Sequence, residues 1–326
     1  MFGLYLGACS LMTPLTPHRA GAGRARVAAW PRMALAEGDE VLVVGRGAVM
    51  LLAAKMAASK GFKTTVLIGD DKKTAETLVG DEAQELPLSM LPVAGDDVDE
   101  TAIEAAVNGA SGVIIAFDGE EVAPQAALNV FMPTSGGQLK HVSVLSKNLN
   151  GDGMGFFAKA AKTAANAEIW AGEEKKVEAY RDMETRVLAR AAEVGASHTI
   201  IRVGTLKGGG CGSSSDDGGG DDSFLKEFFY TLGQQDVVNW RMLFDCDTLG
   251  VTLKRGDTMP GPGTFAAWSA TSPDACAGDS GRGGAAAALV EALRLDAAAN
   301  ADFGVGTAQG RAPPTAEEWK ALFSAA

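Results

Sequence analysis

Short apolar runs alternate with amphipathic segments along most of the chain. Runs dense in Val, Ile and Leu occur at residues 41–44, 64–68, 90–94, 112–117, 141–146 and 198–203. They lack polar alternation, which is typical of strands buried on both faces. Between them, segments such as 48–60 and 101–108 carry apolar residues at helical spacing. The pattern predicts an α/β fold with a doubly wound parallel sheet.

A glycine turn separates the first apolar run from the first helical segment. Gly45 and Gly47 allow a tight turn and a close approach of the backbone to a ligand. A helix that starts here presents its first amides to a pyrophosphate, and those residues are Ala48, Val49 and Met50. Asp70 follows about 20 residues later, where an acid binds the ribose of a dinucleotide. This order predicts that the chain binds NAD or NADP.

The glycine pattern is incomplete, and a second interpretation of it stays open. Met50 stands where the third glycine of G-x-G-x-x-G belongs. The same residues also fit a turn that only joins a strand to a helix, with Asp70 and Asp71 capping the next helix. On that interpretation the chain keeps the fold, holds no nucleotide and binds protein partners through its acidic surface.

The end of the second strand bears on the choice between NAD and NADP. The carboxylate of Asp70 disfavours a 2′-phosphate and so favours NAD. Lys72 and Lys73 follow and act in the opposite direction, because an ammonium group attracts a phosphate. The balance predicts a slight preference for NAD.

Three further strand ends carry candidate contacts, because open α/β sheets bind ligands at their carboxyl edge. Asp96 and Asp97 follow the third strand, where an acid accepts a hydrogen bond from an adenine amino group; helix capping is the competing interpretation. Ala116 and Phe117 end the fourth strand and are predicted to flank the adenine or the ribose. Ser146 ends the fifth strand, with its hydroxyl predicted to face the nicotinamide or a substrate carbonyl.

The chain resembles the atypical short-chain dehydrogenase/reductase superfamily, and in style its NmrA-like and plastid NAD(P)-binding branches. The segments that carry the resemblance, within about residues 40–207, are VLVVG, AGDDVDETAIEAAVNGASGVIIAF, KHVSVLS and SHTIIRVGTL. Members of these branches include reductases, cofactor-sensing regulators, and assembly or docking proteins of chloroplast membranes. The resemblance implies a Rossmann core over residues 38–207.

Active reductases of that family carry a Tyr-x-x-x-Lys pair on the helix after the fifth strand, and this chain departs from it. Tyr180 is followed four residues later by Glu184 instead of lysine. A glutamate close to the tyrosine would raise the tyrosine pKa, which opposes acid catalysis. Lys176 stands one helical turn before Tyr180 and offers an inverted pair.

Two functions follow from this departure. The first is an NAD(P)-binding protein without standard Tyr-Lys catalysis, acting as a plastid cofactor sensor, scaffold or assembly factor. The alternative is an NAD(P)H-dependent plastid reductase of a small carbonyl substrate. In that enzyme Ser146 positions the carbonyl, and Tyr180, aided by Lys176, supplies the proton. The missing lysine favours the first.

The first 33 residues have a composition of their own. They carry Arg19, Arg24, Arg26 and Arg32 but no acid, and Glu37 is the first carboxylate. This predicts a targeting peptide at 1–33 and a plastid location, with a cytoplasmic or mitochondrial location as the alternative. The formal net charge is −12 and becomes more negative without those arginines, which opposes binding to nucleic acid.

The remaining sequence predicts a single further part. Residues 208–223 are low in complexity and predict a flexible loop. Residues 224–326 are expected to complete the same domain as a small C-terminal extension. This part includes an alanine-rich helix from Gly278, a last strand at the segment DFGVGTA, and a last helix capped by Thr315 and docked by Trp319 and Phe323. No run reaches the roughly 18 apolar residues of a membrane span. Four cysteines without paired spacing and three histidines predict no metal site.

Overall fold

The computed structural model describes residues 34–69, 72–117, 138–148, 174–207, 250–257, 279–308 and 312–326. Asp70 and the predicted segments 1–33 and 208–223 lie outside the described residues. The strands are β1 Glu40–Arg46, β2 Lys63–Ile68, β3 Leu88–Pro92, β4 Gly112–Phe117, β5 His141–Lys147, β6 Ser197–Val203, β7 Thr205–Lys207, β8 Gly250–Arg255, β9 Asp279–Gly281 and β10 Ala301–Ala308. The α-helices are α1 Ala48–Ser59, α2 Lys72–Val79, α3 Glu100–Gly109, α4 Glu174–Val194, α5 Arg282–Arg294 and α6 Ala316–Ala325.

Eight of these strands form one sheet in the order β3-β2-β1-β4-β5-β6-β10-β8. All neighbours are parallel except β10 and β8. The order of β1 to β6 is that of the dinucleotide-binding Rossmann fold, in which the chain reverses its direction of winding between β1 and β4. The prediction of a doubly wound parallel sheet is therefore confirmed. The chain adds β10 to the parallel sheet and places β8 antiparallel at its edge.

Helices cover both faces of this sheet. Successive side chains of a strand point to opposite faces, so each strand contributes to two cores. On the first face, Val43 and Ile114 belong to a core that includes α1, α5 and α6. On the second face, Val44 and Val113 belong to a core that includes residues of α3 and α4, among them Val187. Helices thus exclude water from both faces of the central strands, as the unbroken apolar runs predict.

Helix α1 is buried along almost its whole length. Every residue from Ala48 to Ala58 is buried, including Lys55, and the helix packs against α5 as well as against the sheet. A helix that is apolar on all sides is expected in such a position. Met50 is only 3% exposed and lies in the first core. The missing third glycine therefore does not keep α1 off the sheet.

The segment around Gly278 differs from its prediction. Asp279–Gly281 forms the short strand β9, parallel to β7, and helix α5 begins only at Arg282. The Ser280 hydroxyl donates to the carbonyl of Val305 at 2.6 Å and accepts from the amide of Gly204 at 2.9 Å. These backbone partners hold Ser280 in an extended strand, so the helix starts later than the sequence pattern indicates.

The C-terminal helix α6 docks as predicted. Thr315 caps it in a reciprocal capping box with Glu318. Trp319 and Phe323 are buried, and Phe323 meets the ring of Phe303 edge-on with 5.0 Å between centroids. An aromatic contact of this geometry anchors α6 to β10.

A buried polar cluster joins the amino ends of β5 and β6. The Thr199 hydroxyl donates to the carbonyl of Ala298 at 2.7 Å, so it accepts from His141 Nε2 at 2.9 Å. His141 Nδ1 is then the acceptor for the Ser197 hydroxyl at 2.6 Å. Burial, and next the charge of His198, lower the pKa of His141 to about 3. The imidazole is therefore neutral at physiological pH.

We expect the folded state to lose stability as the pH falls below 6.5. The unfolded chain takes up a proton on His141 near pH 6.5, whereas the folded chain does so only near pH 3. Because the unfolded state binds the proton first, the free energy of unfolding drops by about 2 kcal/mol between about pH 7.5 and pH 5. Urea unfolding at the two pH values measures this loss.

The variant His141→Asn isolates the contribution of this histidine. Its amide oxygen still accepts from Ser197, but the residue no longer titrates. The variant should lose about 2 kcal/mol less than the wild type over the same pH interval. Equal losses in the two proteins would show that His141 does not cause the effect.

Candidate functional site

The reversal between β1 and β4 creates the crevice in which sheets of this order bind ligands. Gly45 on β1 is the register partner of Ala116 on β4. Its φ is +151°, and a Cβ at this position would overlap the carbonyl oxygen of Ala116. Glycine is therefore required at position 45 by the close approach of the two strands.

Gly47 forms the N-cap of α1 at the mouth of this crevice. It has φ +97° and ψ −172°, a conformation that is essentially restricted to glycine. The first turn of α1 contains no acid, and Gly47 provides no side chain to cap it. The helix therefore presents the positive end of its dipole at the crevice. Ala48, Val49 and Met50 are buried, so their contribution to a ligand site is limited to the backbone.

Arg46 adds a positive charge at the same place. It lies between the two glycines, is exposed, and is the register partner of Phe117 on β4. Arg46 is not among the residues predicted from the sequence, although its place inside the glycine turn is the signal that could have revealed it. An exposed guanidinium beside a helix N-terminus suits an anionic ligand.

The two residues that end β4 have different surroundings. Ala116 is fully buried in the first core. Phe117 is half-buried and packs against the second core. Of this pair, Phe117 is therefore the residue whose side chain keeps exposed surface that a ligand could contact.

Asp96 and Asp97 lie exposed after β3, and neither caps a helix. The cap of α3 is Asp99, whose side chain accepts from the amide of Ala102 at 2.9 Å. The interpretation of Asp96 and Asp97 as helix caps is therefore wrong. Both carboxylates are exposed, and their hydrogen bond to an adenine amino group stays a prediction.

Only some of the residues that bear on the choice between NAD and NADP are described in the structure. Asp70 and Asp71 lie outside the described residues. Lys72 and Lys73 are exposed at the start of α2, and Lys72 forms an ion pair with Glu76 at 3.7 Å. The slight preference for NAD stays a prediction.

At the carboxyl end of β5, four polar residues form what we term the Glu184 cluster, made of Ser146, Glu184, Arg202 and Asp302. The Ser146 hydroxyl donates to Glu184 Oε1 at 2.6 Å. Arg202 donates to the same carboxylate from Nε and Nη2, each at 2.9 Å, and its Nη1 donates to Asp302. The cluster thus ties α4 to three neighbouring strands, β5, β6 and β10.

The cluster is charged although it is nearly buried. The side chains of Glu184 and Arg202 are 12% and 10% exposed. Burial alone would lower the pKa of Arg202, but hydrogen bonds and charges from Glu184 and Asp302 together raise it above its ordinary value. Two carboxylates and one guanidinium give the cluster a net charge of −1.

The predicted catalytic residues are placed as follows. Ser146 is 1% exposed, and Tyr180 is 2% exposed within the second core. The backbone of Lys176 lies in the first turn of α4, while its side chain is outside the described part. The structure therefore brings Ser146 together with Glu184, the residue at the lysine position, and buries both candidate hydroxyls.

Sequence reasoning missed Arg202 and Asp302. Arg202 is a charged residue within the otherwise apolar run of β6, and a buried charge of this kind needs a partner. That signal could have identified Arg202, but it does not identify the partner. Asp302, 100 residues further along, carries no comparable signal.

The described residues hold neither a candidate metal site nor a helix that could span a membrane. In this part of the chain, His, Cys, Asp and Glu form no group of three or more that could hold a metal ion. None of the described helices combines the length and the apolar character needed to cross a membrane.

Comparison with known proteins gives likeness in architecture only. No protein-family model matches the chain, and no curated protein matches it. A candidate epimerase from Bacteroides thetaiotaomicron superposes with a TM-score of 0.49 at 12% identity, over 85% of this chain and 100% of the other. A candidate NAD-dependent epimerase/dehydratase from Bacillus halodurans gives 0.43 at 14%, over 87% and 100%.

A third solved structure is yeast methylglyoxal/isovaleraldehyde reductase in complex with NADPH. It gives a TM-score of 0.43 at 11% identity, over 82% of this chain and 75% of the other. At these identities and TM-scores, neither a residue's role nor a ligand can be assigned to this chain from these proteins. The class of the chain, an α/β protein with a Rossmann fold, is defined by its own strand order.

Proposed function

We propose that this protein binds NAD or NADP at the carboxyl edge of its sheet without Tyr-Lys reductase chemistry. We further propose that it works in a plastid as a cofactor sensor, scaffold or assembly factor. The observation that carries the proposal is Glu184, which stands at the lysine position and is held there by Ser146 and Arg202.

Support for dinucleotide binding comes from the β1–α1 turn. Gly45 permits the close approach of β4, and Gly47 starts α1 in a conformation that only glycine readily adopts. Together with the exposed Arg46, the positive end of α1 favours a pyrophosphate at this point. The strand order places this turn at the crevice where dinucleotides bind in such sheets.

Support for the absence of conventional reduction comes from Ser146 and Glu184. A serine hydroxyl has one proton, and Ser146 gives it to Glu184. It therefore has none left to donate to a substrate carbonyl. Position 184 also supplies a carboxylate where the reductase pair needs an ammonium that lowers the tyrosine pKa. The buried position of Tyr180 agrees with a structural role.

The plastid part of the proposal rests on composition alone. Segment 1–33 contains four arginines and no acid in a chain whose formal net charge is −12. Such a bias is typical of organelle targeting peptides. A sensor, scaffold or assembly factor is then the role that suits a cofactor-binding protein without turnover in that compartment.

We predict saturable binding of NADH or NADPH that depends on Arg46. In calorimetric titrations of the full chain, Arg46→Glu should weaken binding by about tenfold or more, because it reverses a charge beside the pyrophosphate. Lys320→Glu makes the same charge change on the exposed face of α6 and should leave the affinity within about twofold.

Three outcomes would count against this assignment. If neither nucleotide binds at millimolar concentration, the chain is a Rossmann protein without a nucleotide. If Lys320→Glu weakens binding as much as Arg46→Glu, the effect reflects the general charge of the protein. If Arg46→Glu has no effect, the pyrophosphate does not lie at the β1–α1 turn.

A further inference from the structure

The chain enters the fold along the amino edge of the sheet through residues 34–39, which we term the N-terminal strap. The amide of Leu35 donates to the carbonyl of Leu293 in the last turn of α5, at 2.8 Å. The amide of Gly38 donates to the carbonyl of Gly61, just before β2, at 2.9 Å. Strands β1 and β2 begin at this edge and α5 ends there, so the strap lies opposite to the crevice at the carboxyl edge.

Leu35 is the side chain that anchors the strap. It is 5% exposed and belongs to the first core. A Cβ on Gly112, the first residue of β4, would lie 2.6 Å from Leu35 Cδ2, so the leucine packs directly over that glycine. A chain that began after Leu35 would lose this contact and open the first core at its edge. The strap thus sets a limit, since a targeting peptide has to be cut off before Leu35.

The nitrogen of Ala34 lies among groups that attract a positive charge. Its amide donates to Asp296 Oδ1 at 3.3 Å. The carbonyl of Leu293, which accepts from the next amide along the strap, belongs to the carboxyl end of α5, where the helix dipole is negative. A carboxylate and a helix end of this polarity bind an ammonium group more strongly than a neutral amide.

We propose that the targeting peptide is removed by hydrolysis of the Met33–Ala34 bond, and that Asp296 and the end of α5 bind the new α-ammonium group. Water adds across the bond and gives a carboxylate on Met33 and an ammonium group on Ala34. The nitrogen thus keeps its place as a donor to Asp296 and gains a charge. This inference deepens the plastid part of the proposed function and rests on it.

Two ion pairs near the strap leave this role to Asp296. Within the strap, Asp39 pairs with Lys140 at 3.0 Å. On α5, Arg294 donates from Nη1 to both carboxylate oxygens of Glu291, at 2.9 and 3.0 Å. The charge of Arg294, two residues before Asp296, is therefore offset by Glu291 and does not oppose an ammonium group on Ala34.

The first test determines where the chain is cut. The full chain is incubated with isolated chloroplasts, and the product inside them is identified by intact mass and N-terminal sequencing. We expect a product that begins at Ala34. If the chain is imported but remains uncut or begins at any other residue, this inference fails while the plastid location stands. If the chain is not imported at all, the plastid part of the proposed function fails, and this inference fails with it.

The second test measures the binding of the new amino group. In the full chain, residues 30–33 are replaced by Ile-Glu-Gly-Arg, and factor Xa then cuts the folded protein before Ala34. The pH dependence of labelling by acetic anhydride gives the pKa of this α-amino group, which should lie above its ordinary value of about 8. In Asp296→Asn the pKa should return to that value, so that labelling at about pH 7.5 becomes about threefold faster.

Glu100→Gln is the matched control, because it makes the same charge change. Glu100 is exposed in the first turn of α3, at the carboxyl edge of the sheet, and its loss should leave the labelling rate unchanged. An α-amino pKa at its ordinary value, or one that Asp296→Asn does not lower, would overturn the proposed binding. An equal effect of Glu100→Gln would overturn it too, since the cause would then be the general charge of the protein.

Discussion

Replacing Gly45 with alanine is expected to lower the free energy of unfolding by about 4 kcal/mol or more, a large part of the roughly 5–15 kcal/mol that stabilises a typical domain. The added methyl group would overlap the carbonyl oxygen of Ala116. That oxygen belongs to the backbone of β4, which is in parallel register with β1 and cannot move away alone. The substitution therefore separates the two central strands of the sheet.

Gly38→Ala is the matched control for this prediction. Gly38 also has a positive φ, +86°, but a Cβ there would meet no atom within 4 Å. It should cost only the backbone strain, about 1–2 kcal/mol. Guanidinium unfolding of the two variants and the wild type gives the comparison. Equal losses in the two variants would mean that β1 and β4 do not approach as closely as described.

Arg202→Met is expected to destabilise the protein by about 3–5 kcal/mol. The substitution leaves the carboxylate of Glu184 nearly buried, with Ser146 as the donor that remains from the cluster. An uncompensated buried charge of this kind is much more costly than the ion pair that it replaces. Denaturant unfolding at neutral pH measures the loss.

A double variant separates the buried charge from a simple loss of packing. In Glu184→Met with Arg202→Met, both charges disappear and the two side chains can pack as apolar groups. Replacement of a whole buried pair is often nearly neutral, so the double variant should recover most of the stability lost by Arg202→Met. A double variant less stable than the single one would show that the pair itself, and not the isolated charge, dominates.

The sequence predicts the core of the fold well because that core is built from local signals. Each of the six strands from β1 to β6 is a short apolar run, predicted to within about two residues, the usual uncertainty of element boundaries. The prediction that both faces are buried is wrong for β3, which lies at the edge of the sheet with Ser89 exposed and its other residues only half-buried. Parallel strands buried by helices occur almost only in doubly wound sheets and in eight-stranded barrels, which leaves few arrangements to choose between. The order of these strands then follows the Rossmann pattern.

The later strands are less predictable for a physical reason. β7 and β9 have three residues each and depend on partners more than 70 residues apart in sequence, such as Gly204 and Ser280. β10 is the last strand that the segment DFGVGTA predicts, although its small residues are poor strand formers. Its place beside β6 is decided by tertiary packing, and so is the antiparallel addition of β8.

The candidate site shows the same division. Gly45, Gly47 and the substitution of glutamate for lysine at position 184 are visible in the sequence because they break or fulfil a spaced pattern. The partners of Glu184 are not visible, since Ser146 and Arg202 lie 38 and 18 residues away along the chain. Only the fold brings these groups together. Their hydrogen bonds hold Glu184 at the lysine position, which opposes Tyr-Lys chemistry.

The central claim is that the chain binds a nicotinamide dinucleotide and does not reduce carbonyls by the Tyr-Lys route. The most direct measurement titrates the full chain with NADH and NADPH by fluorescence, and then follows nucleotide absorbance in the same samples after addition of a panel of aldehydes and ketones. The account predicts saturable binding of at least one nucleotide with no oxidation above the protein-free rate. Rapid oxidation that Tyr180→Phe abolishes would contradict it.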